Sequence, residues 1–380
     1  MRLLLDQRWT AILAVQFVTA MVPLSVLPFL FLHLQELTEG RVENAAFWTA
    51  TAAAAPAIAA IIATPLWGRL AQGRSLASLM TATCLLSGAS YALQGWAATP
   101  VVFCAARFLQ GAAGSGIILL LAVERIRRGS GGGYVTLQQA FAAGCLIGPL
   151  LGGLAFEHDA LLFLLLLAAA SCVVLALISA VAFHRDPAEG LASGAAQVVR
   201  GTSRRNSVCI LAATLGSGGA FGFAPFFAAW AMEHAGTGVT TTTIGAIHAA
   251  GWLAGMMVLP LWGRAIGGFS AVSSVRFSLA GSALTLGLLA IPGTILWIAA
   301  LRILQGGIHA GLAPALYNAV SGAGHPERNI AAGRTALTLG QVLGPVVCGL
   351  ALPWAGTNGV LLVAAALPLI GFLLLSAGYR

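Results

Sequence analysis

Long apolar runs alternate with short polar breaks along the whole chain, and the runs have the length of membrane spans. Twelve can be read off, at about 11–33, 46–66, 76–97, 99–122, 135–156, 160–183, 207–231, 242–262, 271–291, 294–317, 330–352 and 357–378. Each holds roughly 20 residues, enough for a helix to cross a hydrocarbon core of ~30 Å. Polarity does not alternate residue by residue within them, as the strands of a membrane barrel require, so the runs predict helices. The longest polar stretch, 184–206, opens with His184-Arg185-Asp186-Pro187 and divides the runs six and six. The pattern predicts an all-α integral membrane protein with twelve transmembrane helices. An N-terminal six-helix bundle is expected over 1–183, a cytoplasmic linker over 184–206 and a C-terminal six-helix bundle over 207–380.

Composition agrees. Of 380 residues, 59% are hydrophobic and 8% charged, with a mean hydropathy of +0.92, where soluble domains carry roughly 25% charged residues. The net charge of +8 comes from arginine alone, since the chain has no lysine. With both termini inside, sixteen arginines lie on the cytoplasmic side, Arg41 lies outside, and Arg107 and Arg302 fall within the membrane. The positive-inside rule therefore places both termini in the cytoplasm. It also accounts for the basicity without nucleic acid. The expected location is a bacterial inner membrane, with lipid on all sides and a monomeric chain.

The six cysteines lie in or at the edges of apolar runs with no CxxC pair, so they read as small core residues, with no disulfide framework or metal site. The first run lacks a small-residue cleavage signature and reads as a retained span. Gly129–Gly133 precedes Tyr134, and no Gly-Lys-Ser/Thr follows, so there is no phosphate-binding loop. No cofactor and no enzymatic activity are expected.

The chain repeats itself. Arg107-Phe108-Leu109-Gln110-Gly111 recurs 195 residues later as Arg302-Ile303-Leu304-Gln305-Gly306. Pro65-Leu66-Trp67-Gly68-Arg69 recurs at the same offset as Pro260-Leu261-Trp262-Gly263-Arg264. Gly144-Cys145-Leu146-Ile147-Gly148-Pro149 recurs as Gly340-Gln341-Val342-Leu343-Gly344-Pro345, and more weakly Pro28…Glu36 as Pro225…Glu233. Motifs in one order at a near-constant offset imply two similar halves, related by a pseudo-twofold axis along the membrane normal, as in some transporters.

These residues resemble the major facilitator superfamily, and within it the twelve-span drug or metabolite:proton antiporters. Gly68-Arg69-Leu70-Ala71 is similar to that family's loop between helices 2 and 3, although Gln72 stands where aspartate is expected. Arg107-x-x-Gln110-Gly111 matches its R-x-x-Q-G in helix 4. Gly144-x-x-x-Gly148-Pro149-x-x-Gly152-Gly153 matches its antiporter motif G-x-x-x-G-P-x-x-G-G in helix 5. The resemblance implies the major facilitator fold of two pseudo-symmetric six-helix bundles around a central cavity, and secondary transport by alternating access. The helix 5 motif implies export driven by proton entry. It also implies gating roles for Gly68, Arg69, Gly263, Arg264, Gly144, Gly148, Pro149, Gly152, Gly153, Gly344 and Pro345. Those same positions have structural readings: tight turns with an interfacial tryptophan, and small residues for helix packing.

The candidate chemistry centres on the two arginines. A mid-membrane guanidinium costs on the order of 2.5–3.5 kcal/mol, and none of the eleven acidic residues falls at mid-membrane. Each arginine could be held by carbonyls or by Gln110 and Gln305. Alternatively the missing counter-charge is the cargo, an anionic metabolite such as a carboxylate-type siderophore, held by charge-assisted hydrogen bonds. Drugs are the cargo the family resemblance offers instead. Proton coupling then needs a titrating group, for which His248 and His309 are the candidates, since an imidazole switches near neutral pH. Gln16, Gln139 and Gln341 are further cavity candidates, and Pro23, Pro28 and Pro225 predict bends. Rival readings are a flippase for a lipid or lipid-linked glycan, a proton-coupled importer, and a non-transporting membrane subunit.

Overall fold

A computed structural model describes residues 2–71, 73–114, 116, 118, 122, 133–184, 204–236, 238–268, 270–321 and 326–378. Nearly all of the expected linker and the Gly129–Gly132 stretch lie outside the described residues. Every regular element among the described residues is a helix. In chain order these are α1 (Arg2–Val26), α2 (Leu30–Leu37), α3 (Val42–Leu70), α4 (Leu76–Gly95), α5 (Pro100–Ala112), α6 (Gly133–Glu157) and α7 (Leu161–Ala182). There follow α8 (Arg204–Phe223), α9 (Phe227–His234), α10 (Thr241–Gly268), α11 (Ala271–Leu289), α12 (Ile295–His309), α13 (Leu312–Ser321) and α14 (Pro326–Gly378).

Among the described residues, ten stretches are long and apolar enough to cross a membrane, and α5 is a shorter apolar helix. The sequence runs at 330–352 and 357–378 fall in one element, α14, which turns at Gly356 (φ 63°, ψ −170°). That backbone is nearly closed to any residue with a Cβ. The run at 99–122 is described as a continuous helix through Ala112, and its described residues 116, 118 and 122 are helical too. Large apolar side chains point outward: Leu296 is 77% exposed, Val181 74% and Phe163 69%. A soluble surface does not carry such residues in number, whereas hydrocarbon solvates them.

Of the bends expected at proline, those at Pro28 and Pro225 are present, whereas Pro23 lies within α1. A 3₁₀ turn, Leu27–Phe29, separates α1 from α2, and its counterpart Ala224–Phe226 separates α8 from α9. Proline has no N–H to continue the helical ladder, and Pro28 and Pro225 sit at the centre of these turns.

The chain forms two compact units, Met1–Val26 with Ile58–Ala196, and Leu27–Ala57 with Gln197–Arg380. In the first, α1 packs on α6 and α4 on α7. In the second, α8 and α11 pack on α14, and α10 on α12. Glycine sets the closest approaches. A Cβ on Gly144, Gly148 or Gly152 would lie 2.5, 2.4 or 1.8 Å from the carbonyl oxygens of Phe17, Met21 and Ser25. One face of α6 therefore lies directly on the α1 backbone. The second unit repeats the device, with Gly340 and Gly344 against the carbonyls of Thr214 and Gly218.

The repeat extends to the helix caps. Ser75 caps α4 by accepting from Ser78 N–H, and Ser270 caps α11 by accepting from Ser273 N–H. Thr99 caps α5 and Thr294 caps α12 in the same way. All four side chains satisfy N–H groups that a helix start leaves open. At the other ends, Arg8 Nε donates to Ala182 O at 2.9 Å and Arg276 Nη2 to Leu375 O at 3.2 Å. Cations at these helix C-termini complement the macrodipole.

Candidate functional site

Both span arginines are buried, and their surroundings differ. Arg107 is 3% exposed on α5 and donates through Nη1 to Gln110 Oε1, one turn on, at 3.0 Å. Gln94 on α4 donates to that same oxygen at 3.2 Å and to Ser90 O at 3.2 Å. The result is a polar thread joining α4 to α5, made of neutral amides and one cation.

Arg302 is 6% exposed on α12, and its Nη1 donates to Gln305 Oε1, as the repeat requires. Position 94 corresponds to Leu289 in the second half, so the thread to the neighbouring helix is missing. Instead Arg302 Nη2 lies 3.1 Å from His248 Nδ1 on α10, and its guanidinium carbon lies 4.6 Å from the centroid of Phe227 on α9. The first-half position corresponding to His248 is Ala53. His248 is 4% exposed, and its ring also stands 5.7 Å from Phe227. Arg302 Nε is buried with no hydrogen-bond partner among the described residues, and so is Nδ1 of the partly exposed His309. No carboxylate pairs with Arg302 among the described residues. A buried cation without a counter-charge carries a desolvation cost that amide contacts offset only in part.

The P-L-W-G-R repeats are built alike. Trp67 Nε1 donates to Ala112 O at 2.8 Å, and Trp262 Nε1 to Gly307 O at 2.9 Å, each carbonyl five residues beyond its arginine. Both tryptophans are 7% exposed, and each pins its helix to another. Each ring fills the space beside a glycine: a Cβ on Gly114 would meet Trp67 at 2.0 Å, and one on Gly311 would meet Trp262 at 2.2 Å. Both glycines sit where the arginine helix ends, Gly114 after α5 and Gly311 between α12 and α13. Trp67→Phe and Trp262→Phe are each expected to cost about 1–3 kcal/mol, because a buried carbonyl loses its donor. Thermal unfolding of the detergent-solubilised protein measures this, with Trp96→Phe, at a 66% exposed position, expected to match the parent.

Residues 8–269 match the sequence profile of the Major Facilitator Superfamily. The chain belongs to that superfamily. It is a multi-pass membrane transporter and not an enzyme. It is 26% identical to the staphyloferrin B transporter of Staphylococcus aureus (strain NCTC 8325 / PS 47) over 354 residues, 87% of this chain and 82% of that protein. A shorter match, 31% over 136 residues, covers 35% of this chain and 33% of the multidrug resistance protein MdtG of Yersinia enterocolitica. Among solved structures, the nucleoside transporter NupG superimposes with a TM-score of 0.80 at 13% identity, covering 99% of each chain. The human organic anion transporter MFSD10 does so with a TM-score of 0.67 at 17% identity, covering 98% of this chain and 99% of its own. These two share the superfamily fold with the chain.

Of the residues singled out in sequence, the structure joins Arg107 with Gln110, and Arg302 with Gln305 and His248. His309 sits beyond Gln305 on α12, with its ring 6.4 Å from Phe221. Gln139 is exposed, and Gln16 and Gln341 are partly buried; none of the three bonds to either arginine among the described residues. A methyl group added at Gly68 or Gly263 would meet nothing within 4 Å, and Arg69 and Arg264 are exposed. Gly148, Pro149, Gly344 and Pro345 are buried, as are Gly152 and Gly153. Sequence reading missed Gln94 and Phe227. Gln94 carried a signal, being a polar side chain in an apolar run, whereas Phe227 carried none.

Proposed function

We propose that the chain is a twelve-span secondary transporter that exports a small anionic metabolite across a bacterial inner membrane. Both termini lie in the cytoplasm, the chain works as a monomer, and protons are coupled to the cargo. The observation that carries the anion is Arg302, a buried cation with an unpartnered Nε and no carboxylate beside it among the described residues. A cargo carboxylate supplies the missing charge and two acceptors in the geometry that a guanidinium matches. The relative named a staphyloferrin B transporter, similar over most of both chains, supports a metabolite as cargo, and the buried cation of Arg302 favours one that bears carboxylates, such as a carboxylate-type siderophore. Export by exchange with protons is supported by the glycine–proline motif of α6, through its family resemblance. Two halves rocking about a site near mid-bilayer supply the transport cycle.

The test compares small molecules inside and outside cells that carry or lack the intact gene. An acidic, carboxylate-bearing compound is expected to be retained without it and released with it. Compounds that differ only in being neutral or cationic would overturn the anion reading. A set made up of lipid-linked species would favour a flippase.

A further inference from the structure

A guanidinium has donors only, so at 3.1 Å it is His248 Nδ1 that accepts from Arg302 Nη2. The imidazole in this state is neutral, with its hydrogen on Nε2. The three nitrogens of Arg302 are thus in different states: Nη1 is committed to Gln305, Nη2 to His248, and the buried Nε to nothing among the described residues. Nε and Nη2 form the side-on edge by which arginine grips a carboxylate with two parallel hydrogen bonds. The Phe227 ring, 4.6 Å from the guanidinium carbon, occupies a face of the plane and leaves that edge as the approach. Nε has no acceptor among the described residues, and Nη2, the other donor of that edge, already gives a hydrogen to His248.

We propose that a carboxylate and a proton bind together at this place, the carboxylate taking the Nε–Nη2 edge of Arg302 and the proton going to the Nδ1 that His248 thereby gives up. The proposal rests on reading Arg302 as the anion site, and it fixes the sign of that site's coupling. Without the anion, a proton on Nδ1 removes the acceptor and sets two cations at hydrogen-bond distance inside a low-dielectric bundle, where their repulsion is several-fold larger than in water. With the anion, the ring is released from its bond and faces a negative charge, and Nδ1 takes its proton from water. Each ligand therefore favours the other. Linkage is reciprocal, so the factor by which the anion promotes protonation is the factor by which the proton tightens the anion. Affinity rises by up to about tenfold per unit fall in pH across the titrating range.

The other groups around His248 do not reverse this. From α12 it meets Arg302, and His309 lies further along the same helix with its ring 6.4 Å from Phe221. From α9 it meets the uncharged Phe227 ring, while Glu233 accepts from Thr357 and His234 bonds Trp230 O. On α11, Arg276 donates to Leu375 O, and on α13 Tyr317 is partly exposed. A proton exchanger needs its two ligands to exclude one another. Here they bind as a pair, so exchange with entering protons requires a titrating group other than His248. An anion leaving with one proton is still driven outward by an inside-negative potential, at ~2.3 kcal/mol per remaining charge per 100 mV.

The experiment uses the purified full chain in lipid nanodiscs, weakly buffered near neutral pH with an indicator dye. The probes are acetate, succinate and citrate, all ionised there. Thermal protection reports binding, and the dye reports protons. A probe that protects is expected to draw about one proton from solution per molecule bound. His248→Gln is expected to lose that uptake, and Arg302→Gln to lose both protection and uptake. Arg302→Lys, which keeps the charge without the fork, serves where Arg302→Gln fails to fold, and is expected to weaken protection at least tenfold. His158→Gln, at an exposed position, controls for other histidines. Proton release on binding, or uptake that survives His248→Gln, would overturn the paired-ligand proposal while leaving the anion site standing. No protection by any of the three probes would remove the anion site itself, and the proposal with it.

Discussion

Gly152→Val is expected to prevent the first unit from folding. The first atom of the new side chain would stand 1.8 Å from Ser25 O, 2.6 Å from Ser25 C and 2.9 Å from its Cα. A flexible neighbour could swing aside, but these are backbone atoms of α1, so the helices themselves must part. Parting them also opens the contacts at Gly144 and Gly148, because all three glycines lie on one face of α6 at successive turns. Membrane helices have little hydrophobic force pulling them together and rely on close van der Waals approach. Overpacking a core usually costs about 1–3 kcal/mol when side chains can adjust, and here they cannot, so the loss exceeds that range. The measurement is the monodisperse fraction on size exclusion after gentle solubilisation, expected to fall to near zero. Gly287→Ala is the contrast. It is helical with nothing within 4 Å of the new methyl, and its change is expected to be neutral or to stabilise by up to ~1 kcal/mol. A well-folded Gly152→Val protein would show that α6 and α1 do not pack as described.

How much of this was legible in sequence depends on which interaction is asked about. Apolar run length and the 195-residue repeat led to the fold class and the family, because both follow from one-dimensional spacing. Contacts one turn apart were also legible: Arg107 with Gln110 and Arg302 with Gln305 are separated by three residues, which any helix brings together. Contacts between helices were not. His248 and Arg302 are 54 residues apart, and their meeting depends on how α10 and α12 are rotated about their axes. Apolar helices conceal that rotation, since lipid-facing and protein-facing sides are equally hydrophobic. The tryptophan of P-L-W-G-R shows the same limit. Its place near a span end gave no sign of a partner, and Trp67 and Trp262 are bonded to carbonyls of the next-but-one helix in both halves. The caps Ser75, Ser270, Thr99 and Thr294 kept the repeat offset and were readable in principle.

The two arginines are expected to part company under substitution. Arg302→Gln should lower export of the cargo at least tenfold per folded molecule, whereas Arg107→Gln should lower it less than about threefold and act on stability instead. What each removal leaves behind decides the outcome. Without Arg107, Gln110 Oε1 still accepts from Gln94, so the polar thread between α4 and α5 survives with one link fewer. The cost is a fraction of the roughly 1–3 kcal/mol that an unsatisfied buried group carries. Without Arg302, the proposed cargo carboxylate loses its only described cationic partner. Truncating one side of a buried, hydrogen-bonded charge pair costs about 2–5 kcal/mol, and each 1.4 kcal/mol is tenfold in an equilibrium. Stability should move the other way. Arg302 has no carboxylate to lose among the described residues, so its replacement by an uncharged amide removes a desolvation cost along with two hydrogen bonds, and the melting temperature should stay near that of the parent. Export measured on the metabolite found by the cell comparison, set against thermal unfolding of the same preparations, separates the two effects. Equal loss of export in both variants at unchanged stability would make the pair functionally symmetric, and the division of labour between Gln94 on one side and His248 on the other would fall.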